Sequence, residues 1–167
     1  MSNGKAIGII GIIIGIAALG WLSYDQFFVQ VPPSSRQYYD YYASTNYVPS
    51  GSAWDPNSGL LVDFTVNAGE TVYFSYVAIA GIDDSSAPTS GMYFRFVVDG
   101  IRLYSPYVHI WRYNDDGGDA DGRRISVVLQ HFNSTIAAGQ HTVSVSFMGD
   151  STADYVQEQT LFVHVFR

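Results

Sequence analysis

The chain has 167 residues, 47% of them hydrophobic, which excludes a disordered protein and points to one packed domain with an appendage. A net charge of −7 with a single lysine leaves no basic surface for nucleic acid, and the lack of cysteine removes disulfides, thiol nucleophiles and Cys-ligated zinc. Aromatic residues at 16%, with thirteen Tyr and ten Phe, favour β-structure.

The first element, residues 1–28, reads as a hydrophobic anchor or assembly helix. No charge falls between Lys5 and Asp25, and Ala6 to Tyr24 as a helix would extend roughly 28 Å, close to the thickness of a bilayer core. Lys5 and the amino terminus lie on one side of this segment and all fifteen acidic residues on the other. The positive-inside rule therefore sets the N-terminus in the cytoplasm and the C-terminal domain outside the cell. A cleavable signal peptide ending near Ala18-Leu19-Gly20 and a buried core helix are the alternatives. Gly4, Gly8, Gly11, Gly15 and Ala18 form one stripe of small residues on the helix, a face on which copies could pack closely. Glycine is also common in membrane helices in general, so the stripe has a plain reading too.

Residues 29–59 read as a neck of linker and loop, with Pro32-Pro33-Ser34-Ser35, Pro49-Ser50-Gly51-Ser52 and Asp55-Pro56-Asn57-Ser58-Gly59 supplying turn chemistry. Tyr38, Tyr39, Tyr41 and Tyr42, with Trp54, are a candidate aromatic contact surface. Packing of the tyrosines onto the following domain is the simpler expectation, because a free linker would leave their rings wet.

From Leu60 the apolar pattern has period two and is broken by turn residues, the mark of an all-β sandwich over residues 60–167. Eight strands are expected: Leu60–Val66, Thr71–Ala80, Met92–Val98, Ile101–Tyr104, Tyr107–Tyr113, Arg124–Phe132, His141–Met148 and Thr160–Phe166. Asp99-Gly100 is a two-residue hairpin turn, and Asn67-Ala68-Gly69 and Ala137-Ala138-Gly139 are further tight turns. Between two expected strands, Asn114, Asp115, Asp116, Asp119 and Asp121 offer oxygen ligands on a glycine-rich loop. That composition suits calcium, but the spacing fits no EF-hand, and a solvated hairpin tip partly neutralised by Arg123-Arg124 is the favoured reading. His109, His131, His141 and His164 fall on four separate strands, without the spacing of a metal site. No nucleophile elbow or phosphate-binding glycine loop appears, so an enzyme is not expected. Asn133-Ser134-Thr135 is a glycosylation acceptor sequence at an expected turn.

Four stretches carry a resemblance: Ala68 to Ser75 (AGETVYFS), Phe94 to Gly100 (FRFVVDG), Ile136 to Val145 (IAAGQHTVSV) and Leu161 to Val165 (LFVHV). They resemble the jelly-roll domains of the C1q/TNF-like type, similar modules of which occur in microbial surface and phage proteins, and the resemblance implies a microbial source for this chain, an archaeal one among the options. The resemblance covers roughly residues 60 to 167 and implies a ten-strand-type jelly roll that often trimerises and binds other macromolecules, frequently at the end of a stalk. No collagen repeat and no receptor-contact motif of that family is present here.

These readings together give a jelly-roll-type β-sandwich preceded by a single N-terminal hydrophobic helix. The expected function is that of a cell-surface structural or interaction protein, self-assembling as a membrane-anchored oligomer or as the subunit of a pilin-like filament. The alternative is an adhesin module that binds glycans or a surface receptor. Its expected partners are copies of itself and the membrane, with no nucleic acid. A secreted form or an extracellular filament is the alternative location.

Overall fold

The computed structural model describes residues 35–48, 54, 59–82, 89–113 and 123–167. Residues 1–28, with the glycine stripe Gly4, Gly8, Gly11, Gly15 and Ala18, lie outside the described residues, as does the acidic loop from Asn114 to Asp121.

The described residues form nine strands: β1 Arg36–Tyr42, β2 Asn46–Tyr47, β3 Val62–Val66, β4 Thr71–Ile82, β5 Thr89–Val98, β6 Ile101–Tyr113, β7 Arg123–Asn133, β8 Gly139–Gly149 and β9 Tyr155–Phe166. They form two antiparallel sheets. One has the order β1-β9-β4-β7, with the short β2 also pairing β9, and the other has the order β3-β8-β5-β6. With β2 set aside, the first, last, third and sixth strands share one sheet, and the second, seventh, fourth and fifth share the other. This is the strand order of a jelly roll.

Alternation builds the core. Met92, Phe94 and Phe96 of β5 and Val143, Val145 and Phe147 of β8 point inward from the four-stranded sheet. Phe74 and Tyr76 of β4 with Leu161, Val163 and Val165 of β9 meet them from the five-stranded sheet. Aromatic contacts cross the gap, with Phe74 to Phe96 at 5.6 Å and Tyr76 to Phe94 at 6.3 Å between ring centroids. The Asp99-Gly100 turn has φ values of 51° and 75°, the left-handed pair that a two-residue hairpin requires.

Three expectations are corrected. The tyrosine-rich stretch read as linker and loop is an edge strand, β1, paired with β9 from Arg36↔Val165 to Tyr42↔Gln159. Tyr38 and Tyr42 turn inward against the core while Tyr39 and Tyr41 face out; tyrosine on both faces conceals the alternation in the sequence. Ile101–Tyr104 and Tyr107–Tyr113 are one strand, β6, which continues through Ser105-Pro106. A proline is tolerated there because β6 is the edge of its sheet, beside a register shift in β5 between Arg95 and Val97. The last strand begins at Tyr155 instead of Thr160 and passes through a bulge at Glu158, whose φ is 51°.

Candidate functional site

The outward side of the four-stranded sheet carries a cluster of arginine and aromatic rings. In the β5–β6 register Tyr93 lies opposite His109, Arg95 opposite Tyr107 and Gly91 opposite Trp111. Tyr93 and His109 stack with centroids 3.9 Å apart and planes within 5°. Gly91 makes the close fit possible, since a Cβ there would come within 2.8 Å of the His109 ring and 3.4 Å of the Trp111 Cβ. Trp54, arriving from the segment before β3, sets its ring 6.5 Å from Tyr93.

Arg95 stands at the centre. Its guanidinium lies 5.1 Å from the ring centre of Trp54, 5.4 Å from Tyr104 and 5.3 Å from Tyr107, and that of Arg102 lies 4.6 Å from Trp54. Such contacts are favourable because the ring face is electron-rich, and they fix the orientation of a group that would otherwise swing freely. Among the described residues neither arginine makes an ion pair, and the buried Arg95 Nε has no hydrogen-bond partner. Tyr104 is 84% exposed and Trp111 62%.

The outward side of the five-stranded sheet is different in chemistry. One cross-strand row reads Gln37, His164, Tyr73, Phe132, and the next reads Tyr39, Phe162, Ser75, Gln130. A third reads Tyr41, Thr160, Val77, Val128. None of these twelve residues carries an acidic, Lys or Arg side chain. Tyr39 is 77% exposed and Phe132 59%, and Tyr41, Val77 and Val128 are exposed as well. Phe132, Phe166, His164 and Phe162 form a chain of ring contacts at 5.8, 4.9 and 6.2 Å.

Two histidine pairs have the outward form of catalytic groups. His141 Nδ1 is 2.7 Å from Asp99 Oδ2, and its Nε2 is 2.9 Å from the Ala137 carbonyl. Both ring nitrogens therefore face acceptors, an arrangement that suits the protonated imidazolium and leaves no lone pair to act as a base. The Asp99 hydrogen bond accordingly holds the His141 pKa above its ordinary value, against the opposing effect of burial. For Asp99, burial pushes upward, but the bonds from His141 and the Thr142 amide outweigh it and the net shift is downward. The pair ties the β5–β6 turn to the start of β8, beside a groove of ≈ 380 Å³ lined by Tyr38, Asp63, Gln140 and Thr142 among others. Ser35 Oγ is 2.7 Å from His164 Nε2, with no carboxylate joined to that ring among the described residues.

The aromatic surface expected from Tyr38, Tyr39, Tyr41, Tyr42 and Trp54 is not one surface. Tyr39 and Tyr41 lie on the outer side of the five-stranded sheet, Tyr38 and Tyr42 pack against the core, and Trp54 covers part of the other sheet. Alternation along β1 separates the first four, and Trp54 lies against Tyr93 and Arg95 of the other sheet. Asn133 closes β7, where its Oδ1 accepts from the Thr135 amide at 2.8 Å and the Thr135 hydroxyl at 2.9 Å. The suggested calcium ligands Asn114, Asp115, Asp116, Asp119 and Asp121 lie outside the described residues, and among those described no cluster of three acidic or His side chains is placed to hold a metal ion. Also among the described residues, no helix is long and apolar enough to cross a membrane. Sequence reasoning missed Arg95, Arg102 and Tyr93 as a cluster. The signal was the alternation Arg102, Tyr104 and then Tyr107, His109, Trp111 along one strand, obscured by treating it as two.

No known protein family's sequence profile matches this chain, and no curated protein does. Among solved structures it is similar to dimeric latent PorU from Porphyromonas gingivalis, at 12% identity and a TM-score of 0.40, over 80% of this chain and 13% of that one. It is similar to the CBM36-1 domain of a multidomain xylanase from the hindgut metagenome of Trinervitermes trinervoides, at 11% identity and a TM-score of 0.37, over 75% and 95% of the two chains. It is also similar to Eiger TNF from S. frugiperda, at 12% identity and a TM-score of 0.37, over 79% and 93%.

Proposed function

We propose that this chain is a surface interaction protein whose β-sandwich self-associates through the outer side of the β1-β9-β4-β7 sheet. In this reading the hydrophobic segment before it serves as the membrane anchor, with the domain displayed outside the cell. The observation that supports the proposal is a three-row face without an acidic, Lys or Arg side chain, on which Tyr39, Tyr41, Val77, Val128 and Phe132 are exposed among polar neighbours. Soluble monomers rarely leave a contiguous patch of this kind in water, and covering it with the same patch of another copy buries rings on both partners at once. Phe132 and Phe162 lie in adjacent rows and would be central to that contact.

Each phenylalanine is worth about 1.5–3 kcal/mol when fully buried, so Phe132→Asp with Phe162→Asp should weaken association by at least about 100-fold. Sedimentation of the full chain in detergent, over a range of concentrations, measures this. The wild type should be oligomeric and the double variant monomeric. A wild type that stays monomeric at all concentrations overturns the proposal. So does an oligomer indifferent to the two aspartates but dispersed by Gly11→Ile with Gly15→Ile, because assembly would then reside in the helix stripe.

A further inference from the structure

The two outer faces differ in a way that separates their partners. The three outward rows of the five-stranded sheet show tyrosine, glutamine, phenylalanine and valine and no arginine, whereas the outward residues of β6 are Arg102, Tyr104, Tyr107, His109 and Trp111, with Arg95 beside them on β5. Every one of those five carries a polar N–H or O–H on a large planar or flexible body. An apolar protein surface would leave those donors without partners and would place against hydrocarbon two guanidinium groups that have no ion pair among the described residues. The fitting ligand has C–H patches to lie on ring faces, hydroxyls to meet the donors at their rims, and a negative charge.

We infer that the Arg95–Arg102 aromatic cluster on the outer face of the β5–β6 hairpin is a binding site for a carboxylate-bearing saccharide. Sugar rings present C–H faces that stack on the exposed rings of Tyr104 and Trp111, which stand 84% and 62% exposed. The carboxylate is recognised by guanidinium, whose planar fork of donors matches two oxygens at once. Arg95 is already oriented by the three rings around it, so little of its freedom remains to be lost on binding. Arg102, exposed and set against Trp54, supplies the accessible charge. In a chain of net charge −7, two arginines left without carboxylate partners among the described residues are a local exception to the electrostatics of the whole.

Uronic acids and sialic acids share this chemistry, and both belong in the test. Binding of the full chain to a galacturonic acid hexamer and to sialyllactose is measured by calorimetry, beside the methyl ester of each and a deca-glutamate peptide. At least one acid saccharide should bind, with its methyl ester weaker by about tenfold or more, the scale of one charge-assisted bidentate contact. Arg102→Ala and Tyr104→Ala should each weaken it to a similar extent. Both residues are exposed, so their melting temperatures should match the wild type and a folding defect is separable from a binding one. Phe132→Asp with Phe162→Asp, on the other sheet, should leave the saccharide affinity intact. Binding of neither acid at millimolar concentration overturns the inference. Deca-glutamate binding as tightly as the saccharide overturns it in favour of an acidic protein partner, and indifference to both alanine variants places the ligand elsewhere.

Discussion

Glu70 is a buried carboxylate, its side chain only 2% exposed, that joins two pieces of chain. It accepts from the Arg36 guanidinium of β1, from the Asn67 amide at 2.7 Å and from Asn67 Nδ2 at 3.2 Å, so the edge strand and the β3–β4 turn are held by one group. Glu70→Ala would leave the Arg36 guanidinium and the Asn67 amide without this acceptor. Because Arg36 is about one third exposed, the loss should fall near the low end for a broken buried pair, about 3 kcal/mol by urea denaturation. Two histidines bring opposite pH dependences. The His141 pKa is raised, so its contribution to stability is fully present below 6.5, the ordinary value, and is lost as pH rises through the raised one. That of His131, whose ring stacks on Phe74, is lowered by burial, so stability is lost as pH falls below 6.5 toward the depressed value. His141→Asn should therefore cost more at pH 6 than at pH 8.5, and His131→Phe should gain on the wild type as pH drops from 8 to 5. Urea midpoints for each variant across that range check both signs. At this scale the Asp99-Gly100 turn was legible because its chemistry is local. The bond from His141 to Asp99 spans 42 residues, and only the assembled sheets reveal it.

Among the elements, β9 bears the most neighbours. It pairs with β1 and β2 on one side and β4 on the other, and its inward Leu161, Val163 and Val165 are fully buried. Its bulge turns Gln159 into the core, where Tyr76 Oη donates to Gln159 Oε1 at 2.9 Å and burial pushes the phenol pKa far upward. A chain ending at Gln159 loses three core side chains worth roughly 1.5–3 kcal/mol each, a sum comparable with the usual total of about 5–15 kcal/mol. It should not melt cooperatively by calorimetry, and a cooperative transition would show the strand dispensable. The alternation of Leu161, Val163 and Val165 against Phe162, His164 and Phe166 made this strand readable, as Met92, Phe94 and Phe96 did β5. Bulges were not readable: an extra residue at Glu158 shifts the phase, and the pattern before it looks like loop. β1 was hidden for the opposite reason, since tyrosine suits a core face and a wet face equally well.

For the whole molecule, composition and turn spacing were enough to anticipate a β-sandwich, and the strand order makes it a jelly roll. The two outer surfaces could not be read in advance, because each is assembled from strands that are distant in sequence. Gln37, His164, Tyr73 and Phe132 become one row only after β1 and β9 have met. That meeting has a cost in time. Ser35 and His164 touch across 129 residues of chain, and β9 is made after every other strand. At about 5–20 residues per second, β1 waits roughly 6–26 s on the ribosome before its partner exists. During that interval β4 also lacks one of its two neighbours, and the tyrosines and phenylalanines of the unfinished sheet stand open to any strand that passes. Cells making this protein must keep nascent chains apart or shielded for that time, so its yield should depend more on synthesis rate and holdase supply than on the stability of the finished fold.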